Sequence, residues 1–189
     1  YMVDTLIRDS GNILSGFLLY EPEEIEIRYK KACASGKKVV IFGVSYALLD
    51  LAEKNINLSE AIIIETGGMK GRRKEISKKS LHLELIKGLN VPFVSSEYGM
   101  TELLSQAYSF EEGIFSCPPW MKVLFREVHD PLTLIEGSGK GAINIIDIAN
   151  IHSCSFIATQ DLGRNVPGGF ILEGRMEQSD LRGCNLMVD

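Results

Sequence analysis

Three short apolar runs separated by longer amphipathic stretches constrain this chain more than any other feature. They lie in "KKVVIFGVS" (residues 37–45), "EAIIIET" (60–66) and "VPFVSSE" (91–97). Strand-like runs alternating with helix-like segments are expected of a largely parallel sheet covered by helices. The intervening segments fit that role. "YALLDLAEKN" (46–55) reads as a helix with Leu48, Leu49, Leu51 and Ala52 inward, and the charged "RRKEISKKSLHLELIKGL" (72–89) reads as a second amphipathic helix. The opening "YMVDTLI" reads as a further strand.

Beyond residue 117 the pattern changes. "MKVLFREV" (121–128), "GAINIIDIAN" (141–150), "CSFIATQD" (154–161) and "GGFILEGRM" (168–176) follow one another through turn-rich links without long helices. Such a run predicts an antiparallel or mixed sheet. The expected architecture is therefore α/β, a parallel or mixed sheet with covering helices over 1–117, a smaller strand-rich subdomain over 118–173, and a terminal segment over 174–189.

The totals bound the function. At 189 residues there is room for one domain with a sizeable core, or one and a half. A net charge of -5 gives no global attraction for nucleic acid or an anionic membrane. No apolar run approaches the ~20 residues that span a bilayer, so a cytoplasmic protein without a membrane span is expected. The cysteines, Cys33, Cys117, Cys154 and Cys184, are scattered without a C-x-x-C pair, which argues against structural zinc. A start on Tyr1 rather than methionine, inside an apolar run, suggests a piece of a longer protein.

Several motifs invite chemistry and return a plainer reading. "KGRRKEISKK" (70–79) carries six basic residues and one acidic, yet no aromatic residue for base stacking, and fits a solvated basic face. "GSGKGA" (137–142) lacks the spacing and following helix of a phosphate loop, so it reads as a turn. "FGVSYA" (42–47) lies between strand and helix like a nucleophile elbow. A hydrolase built on Ser45 would need His129 or His152 and an acid partner that the sequence does not mark.

"SSEYGMTELLSQAY" (95–108) is different, because it crowds Tyr98, Gly99, Thr101 and Glu102 into five positions at the end of an apolar run. A turn needs only the glycine. The stretch belongs to a series: Gly67-Gly68 after one strand, E-Y-G-x-T-E after the next, T-x-D-L-G at Asp161, and G-R at Arg175 followed by R-G-x-N. This order resembles the adenylate-forming enzymes, near the carboxyl half of phenylacetate-CoA ligases. "ETGGMKGRRKE", "CPPWMK" and "RGCNLMV" make the chain look most like the acyl-protein synthetase family (LuxE type), the fatty-acid-activating component of bacterial luminescence systems.

The resemblance implies a fold and a set of roles. The fold would be a partial adenylate-forming core without a carboxyl-terminal lid domain. A carboxylic acid, expected to be fatty, would be activated with ATP and Mg²⁺ to acyl-AMP and then passed to a protein thiol. Tyr98 would lie against adenine with Gly67 and Gly68 on its other face. Thr101 and nearby backbone donors would meet the α-phosphate at a helix-like N-terminus, Gly99 and Met100 would belong to the nucleotide site, and Glu102 would hold the metal. Asp161 would accept the ribose hydroxyls and Arg175 reinforce that grip. Cys184, two residues from Arg182, would carry the acyl group. Implied partners are the acid substrate, an acyl-carrying or reductase protein, and a missing amino-terminal portion bearing the β- and γ-phosphate loop. A CoA ligase, the Ser45 hydrolase and a non-catalytic nucleotide-binding remnant are the alternatives.

Overall fold

The computed structural model describes residues 2–18, 21–69, 71–74, 76–110 and 113–176. The chain opens on a helix, α1 (Met2–Ser10), and not on the strand its apolar residues suggest. Asp4 and Arg8 stand one helical turn apart and pair at 2.6 Å. The acid lies in the first turn and the base in the last, as the helix dipole favours. A second helix, α2 (Pro22–Ala34), follows and buries Tyr29, whose hydroxyl accepts the Glu60 N–H at 3.0 Å.

The three apolar runs form β1 (Val40–Val44), β2 (Ile62–Thr66) and β3 (Val94–Tyr98), joined through α3 (Ser45–Ala52) and α4 (Lys78–Leu89). They pair in parallel, and β4 (Ala107–Ser109) adds to β3 antiparallel, giving the order β1-β2-β3-β4. Helix α4 is shorter than its charged segment predicts. Ser77 caps it by accepting the Ser80 N–H, and Asn90 ends it in the left-handed region at φ 54°. Upstream of the cap the chain turns, with the Arg72 N–H returning to the Met69 carbonyl. Three of the basic groups here find partners on the chain itself: Arg73 pairs with Asp50 and Glu53, Lys78 pairs with Glu65, and the Arg72 guanidinium lies 4.9 Å from the Tyr46 ring centroid.

The second sheet contains β5 (Ile114–Phe115), β6 (Met121–Arg126), β7 (Leu134–Ile135), β8 (Lys140–Asp147), β9 (Phe156–Val166) and β10 (Gly169–Arg175). Its order is β5-β10-β9-β8-β6-β7 and every pairing is antiparallel. The "GSGKGA" stretch supplies the turn into β8, with Gly137 at φ 75°. Strand β9 runs past Asp161, which therefore lies inside a strand and not at its end. Gly163 permits this, because a Cβ there would stand 2.5 Å from the Ile171 carbonyl oxygen on β10.

Each sheet has its own core. Leu48 and Leu49 of α3 and Leu81, Leu85 and Leu89 of α4 pack with Ile63 against the first sheet. Each such side chain, fully buried, contributes roughly 1.5–3 kcal/mol. Phe115, Phe125, Ile143, Ile145 and Phe170 form the second core. Tyr98 belongs to this second core although it ends a strand of the first sheet. The backbones of Tyr108 and Ser116 exchange hydrogen bonds of 3.2 and 2.9 Å where the chain crosses between the sheets.

Candidate functional site

Parallel strands deliver their following loops to one edge of a sheet. Glu65 and Ser96 are register partners on β2 and β3, so the Gly67-Gly68 loop and the loop that begins at Gly99 leave side by side. Gly67 and Gly68 have φ of 79° and 73°, a conformation other residues adopt only with strain. The Gly68 N–H donates to Ser45 Oγ at 3.3 Å, and that hydroxyl donates to Glu65 Oε2 at 3.1 Å. This placement overturns the hydrolase reading. Ser45 is 1% exposed, its hydroxyl engages a carboxylate and a glycine amide, and His129 and His152 are exposed.

Glu65 is buried within a polar cluster. Lys78 Nζ lies 2.8 Å from Oε1 and His82 Nε2 lies 3.6 Å from the same oxygen, while His82 also meets Ser96 Oγ at 3.2 Å. Burial alone would raise the Glu65 pKa. The Lys78 charge and the hydrogen bonds from His82, Lys78 and Ser96 outweigh it and bring the group from 4.5 down to about 2.

The structure brings three expected site residues into contact. Tyr98 Oη donates to Asp161 Oδ2 at 2.9 Å, and Arg175 Nε lies 3.2 Å from Asp161 Oδ1. A register shift between Leu172 and Gly174 sets Arg175 opposite Asp161 across β9 and β10. The Tyr98 ring is fully buried, edge-on to Phe170 at 5.6 Å and to Phe115 at 6.1 Å. Burial, and then the Asp161 charge, hold its phenol protonated well above the ordinary value. A flat base can reach this ring only if the aromatic cluster opens.

Thr101 and Glu102 are exposed in a turn closed by the Leu103 N–H on the Met100 carbonyl, and no helix begins there. The expected helix N-terminus is replaced by a carboxylate from the second sheet. Asp147 Oδ2 accepts the Leu104 and Ser105 N–H groups at 2.9 Å each, and Oδ1 accepts the Ser105 hydroxyl at 2.6 Å. Asn150 then donates to the Glu102 carbonyl at 2.7 Å. With these amides satisfied from the side, the segment gains nothing by coiling. Met100 packs beside the second core, and a Cβ on Gly99 would stand 3.3 Å from Gln106 Cγ.

Cys184, with Arg182, lies outside the described residues. Among those that are described, no three His, Cys, Asp or Glu side chains gather as a metal site, and no helix is long and apolar enough to cross a membrane. An apolar groove of about 330 Å³ lies between Leu104, Gln106 and Phe110 on one side and Pro118 and Trp120 on the other. None of the residues expected from the sequence lines it.

Sequence reasoning missed Glu65, Lys78, Asp147, Asn150, Phe115 and Phe170. One signal was available: Asp147 interrupts the apolar "NIIDIAN", and an acid there must be satisfied by buried donors.

The two-sheet α/β arrangement is that of a part of the adenylate-forming enzymes. Apo MatB from Rhodopseudomonas palustris superposes with a TM-score of 0.60 at 16% identity, covering 84% of this chain and 34% of its own. O-succinylbenzoate coenzyme A synthetase (MenE) from Bacillus subtilis, in complex with AMP, gives 0.55 at 20% identity over 82% of this chain and 34% of its own. The amide bond synthetase McbA from Marinactinospora thermotolerans gives 0.54 at 13% identity over 89% and 37%. The chain spans about a third of the length of these enzymes. Likeness at such identities is one of fold. No protein-family model and no curated protein matches the sequence.

Proposed function

We propose that this chain is part of an acyl-protein synthetase that activates a carboxylic acid, a fatty acid, with ATP and passes the acyl group to a protein thiol. The observation that supports it most is the convergence of Tyr98, Asp161 and Arg175 next to the β3 loop. The fold relatives add weight, since some were solved with ATP or AMP bound.

On this reading a carboxylate oxygen attacks the α-phosphorus of ATP and pyrophosphate leaves. A thiolate then attacks the acyl carbon and AMP leaves. Asp161, oriented by Tyr98 and Arg175, accepts ribose hydroxyls. Gly67, Gly68 and Gly99 let backbone approach the base, Tyr98 supplies an aromatic wall once the cluster opens, and Thr101 meets the α-phosphate. The exposed carboxylate of Glu102 fits Mg²⁺, an ion usually held by one or two carboxylates with phosphates and water. Bound there, the ion would offset phosphate charge. Cys184 is the proposed acyl acceptor within the chain, handing on to an acyl-carrying or reductase protein in the cytoplasm. A preceding portion of the same protein would supply the loop for the β- and γ-phosphates.

Transfer to coenzyme A is the second reading, favoured by MenE being a coenzyme A synthetase. The test uses the whole protein with ATP, Mg²⁺ and a labelled fatty acid. Pyrophosphate exchange into ATP that requires the acid is expected, with protein-bound label released by neutral hydroxylamine and lost in Cys184→Ser. Exchange without protein label but with acyl-CoA formation selects the second reading. Absence of exchange with every acid tried overturns both.

A further inference from the structure

Two consecutive glycines in left-handed conformation form a loop with little intrinsic stiffness, since no Cβ limits either residue. A loop that must hold a rigid ligand needs an external brace, and the structure contains one. We propose that Ser45 and Glu65 are positioning residues that fix the Gly67-Gly68 loop, and that Lys78 ties this brace to the aromatic cluster around Tyr98. The inference rests on the nucleotide reading above and assigns residues that reading leaves unused.

The brace depends on polarity. A serine hydroxyl has one proton and two lone pairs. Ionised Glu65 can only accept, so it takes the Ser45 proton and turns the hydroxyl's lone pairs toward the Gly68 N–H. Lys78 compensates the buried carboxylate at 2.8 Å, and His82 approaches from α4 at 3.6 Å. The same Lys78 ammonium lies 4.9 Å from the Phe115 ring centroid, and Phe115 meets Tyr98 edge-on. One charged group therefore touches both the support of the glycine loop and the ring cluster beneath Tyr98. The two walls of the proposed nucleotide cleft are linked through it, so an opening of the ring cluster is felt at the support of the glycine loop.

Two variants separate this role from general stability. Ser45→Ala removes the hydroxyl with little change of volume. Glu65→Gln keeps the shape but allows an amide to donate toward Ser45, leaving the serine proton without its acceptor. In the whole protein, each should speed exchange of the Gly68 amide hydrogen about tenfold or more, the scale set by losing one hydrogen bond. The β2 amides, such as Ile63 and Ile64, should keep their protection. Each variant should also raise the KM for ATP about tenfold while kcat changes by less than about threefold. Faster Gly68 exchange together with a raised KM supports the proposal. Unchanged Gly68 exchange in both variants overturns it, and so does faster exchange with unchanged KM. A parent protein that does not bind ATP removes the nucleotide reading itself, whereas the exchange measurement still decides whether Ser45 and Glu65 brace the loop.

Discussion

At the scale of single residues, the site contains carboxylates in opposite circumstances. Glu102 is exposed and lies in a turn pinned through its backbone carbonyl. Glu102→Ala in the whole protein is expected to lower acid-dependent pyrophosphate exchange by ~10²-fold or more with an unchanged melting temperature. Unaltered exchange would remove Glu102 from metal binding. Glu65 is the reverse, a buried acid whose pKa is depressed from 4.5 to about 2. A group depressed by folding stabilises the native state above its unfolded pKa and loses that contribution as pH falls through the folded value. Stability from Glu65 should thus be complete above about pH 4.5 and fall away toward pH 2. Urea midpoints measured across that window should slope less in Glu65→Gln than in the parent. Equal slopes would contradict the assignment.

At the scale of elements, the turn between β3 and β4 is held by a side chain from another sheet. Asp147 satisfies two backbone amides and a hydroxyl of this turn, and it also accepts the Ala149 N–H at 3.2 Å. Removing the acceptor leaves several buried donors unpaired, each costing roughly 1–3 kcal/mol. Asp147→Ala is expected to destabilise by about 3 kcal/mol or more, read as a lower urea midpoint, and to reduce adenylation because Glu102 loses its fixed approach. Asp147→Asn, which keeps one acceptor oxygen, should recover part of the stability. If the alanine variant is as stable as the parent, the turn is held by something else. Helix α3, strands β1 to β3 and the later strands were legible in the sequence, because their apolar spacing is local information. The sequence misled at α1, where Met2, Val3, Leu6 and Ile7 recur at helical and not alternating spacing, and at residues 101–106, where the deciding group is 42 residues away from Ser105.

At the scale of the whole molecule, Tyr98 joins two cores. Its backbone completes β3, its ring packs with Phe115 and Phe170, and its hydroxyl bonds Asp161 on β9. Tyr98→Ala should cost roughly 3–5 kcal/mol, the range for deleting a large buried ring. Calorimetry should then show the sheets melting less cooperatively than in the parent, where one transition is expected. A single sharp transition at the parental temperature would show that the sheets are joined elsewhere. Tyr98→Phe, which keeps the ring and loses only the bond to Asp161, should lower stability far less while still weakening nucleotide binding.

The sequence by itself determined the α/β order and an antiparallel or mixed second half, and the resemblance carried by its motif series marked positions 67, 68, 98, 101, 102, 161 and 175 as candidates. Those follow from spacing along the chain and from motif order, both of which are written locally. Only the tertiary structure decided that Tyr98, Asp161 and Arg175 touch, that Ser45 supports a loop instead of attacking a substrate, and that Asp147 replaces a helix at the turn. The physical reason is separation. Tyr98 and Asp161 are 63 residues apart, Ser45 and Gly68 are 23 apart, and a hydrogen bond of about 3 Å leaves no periodic trace in either stretch until the sheets have folded together.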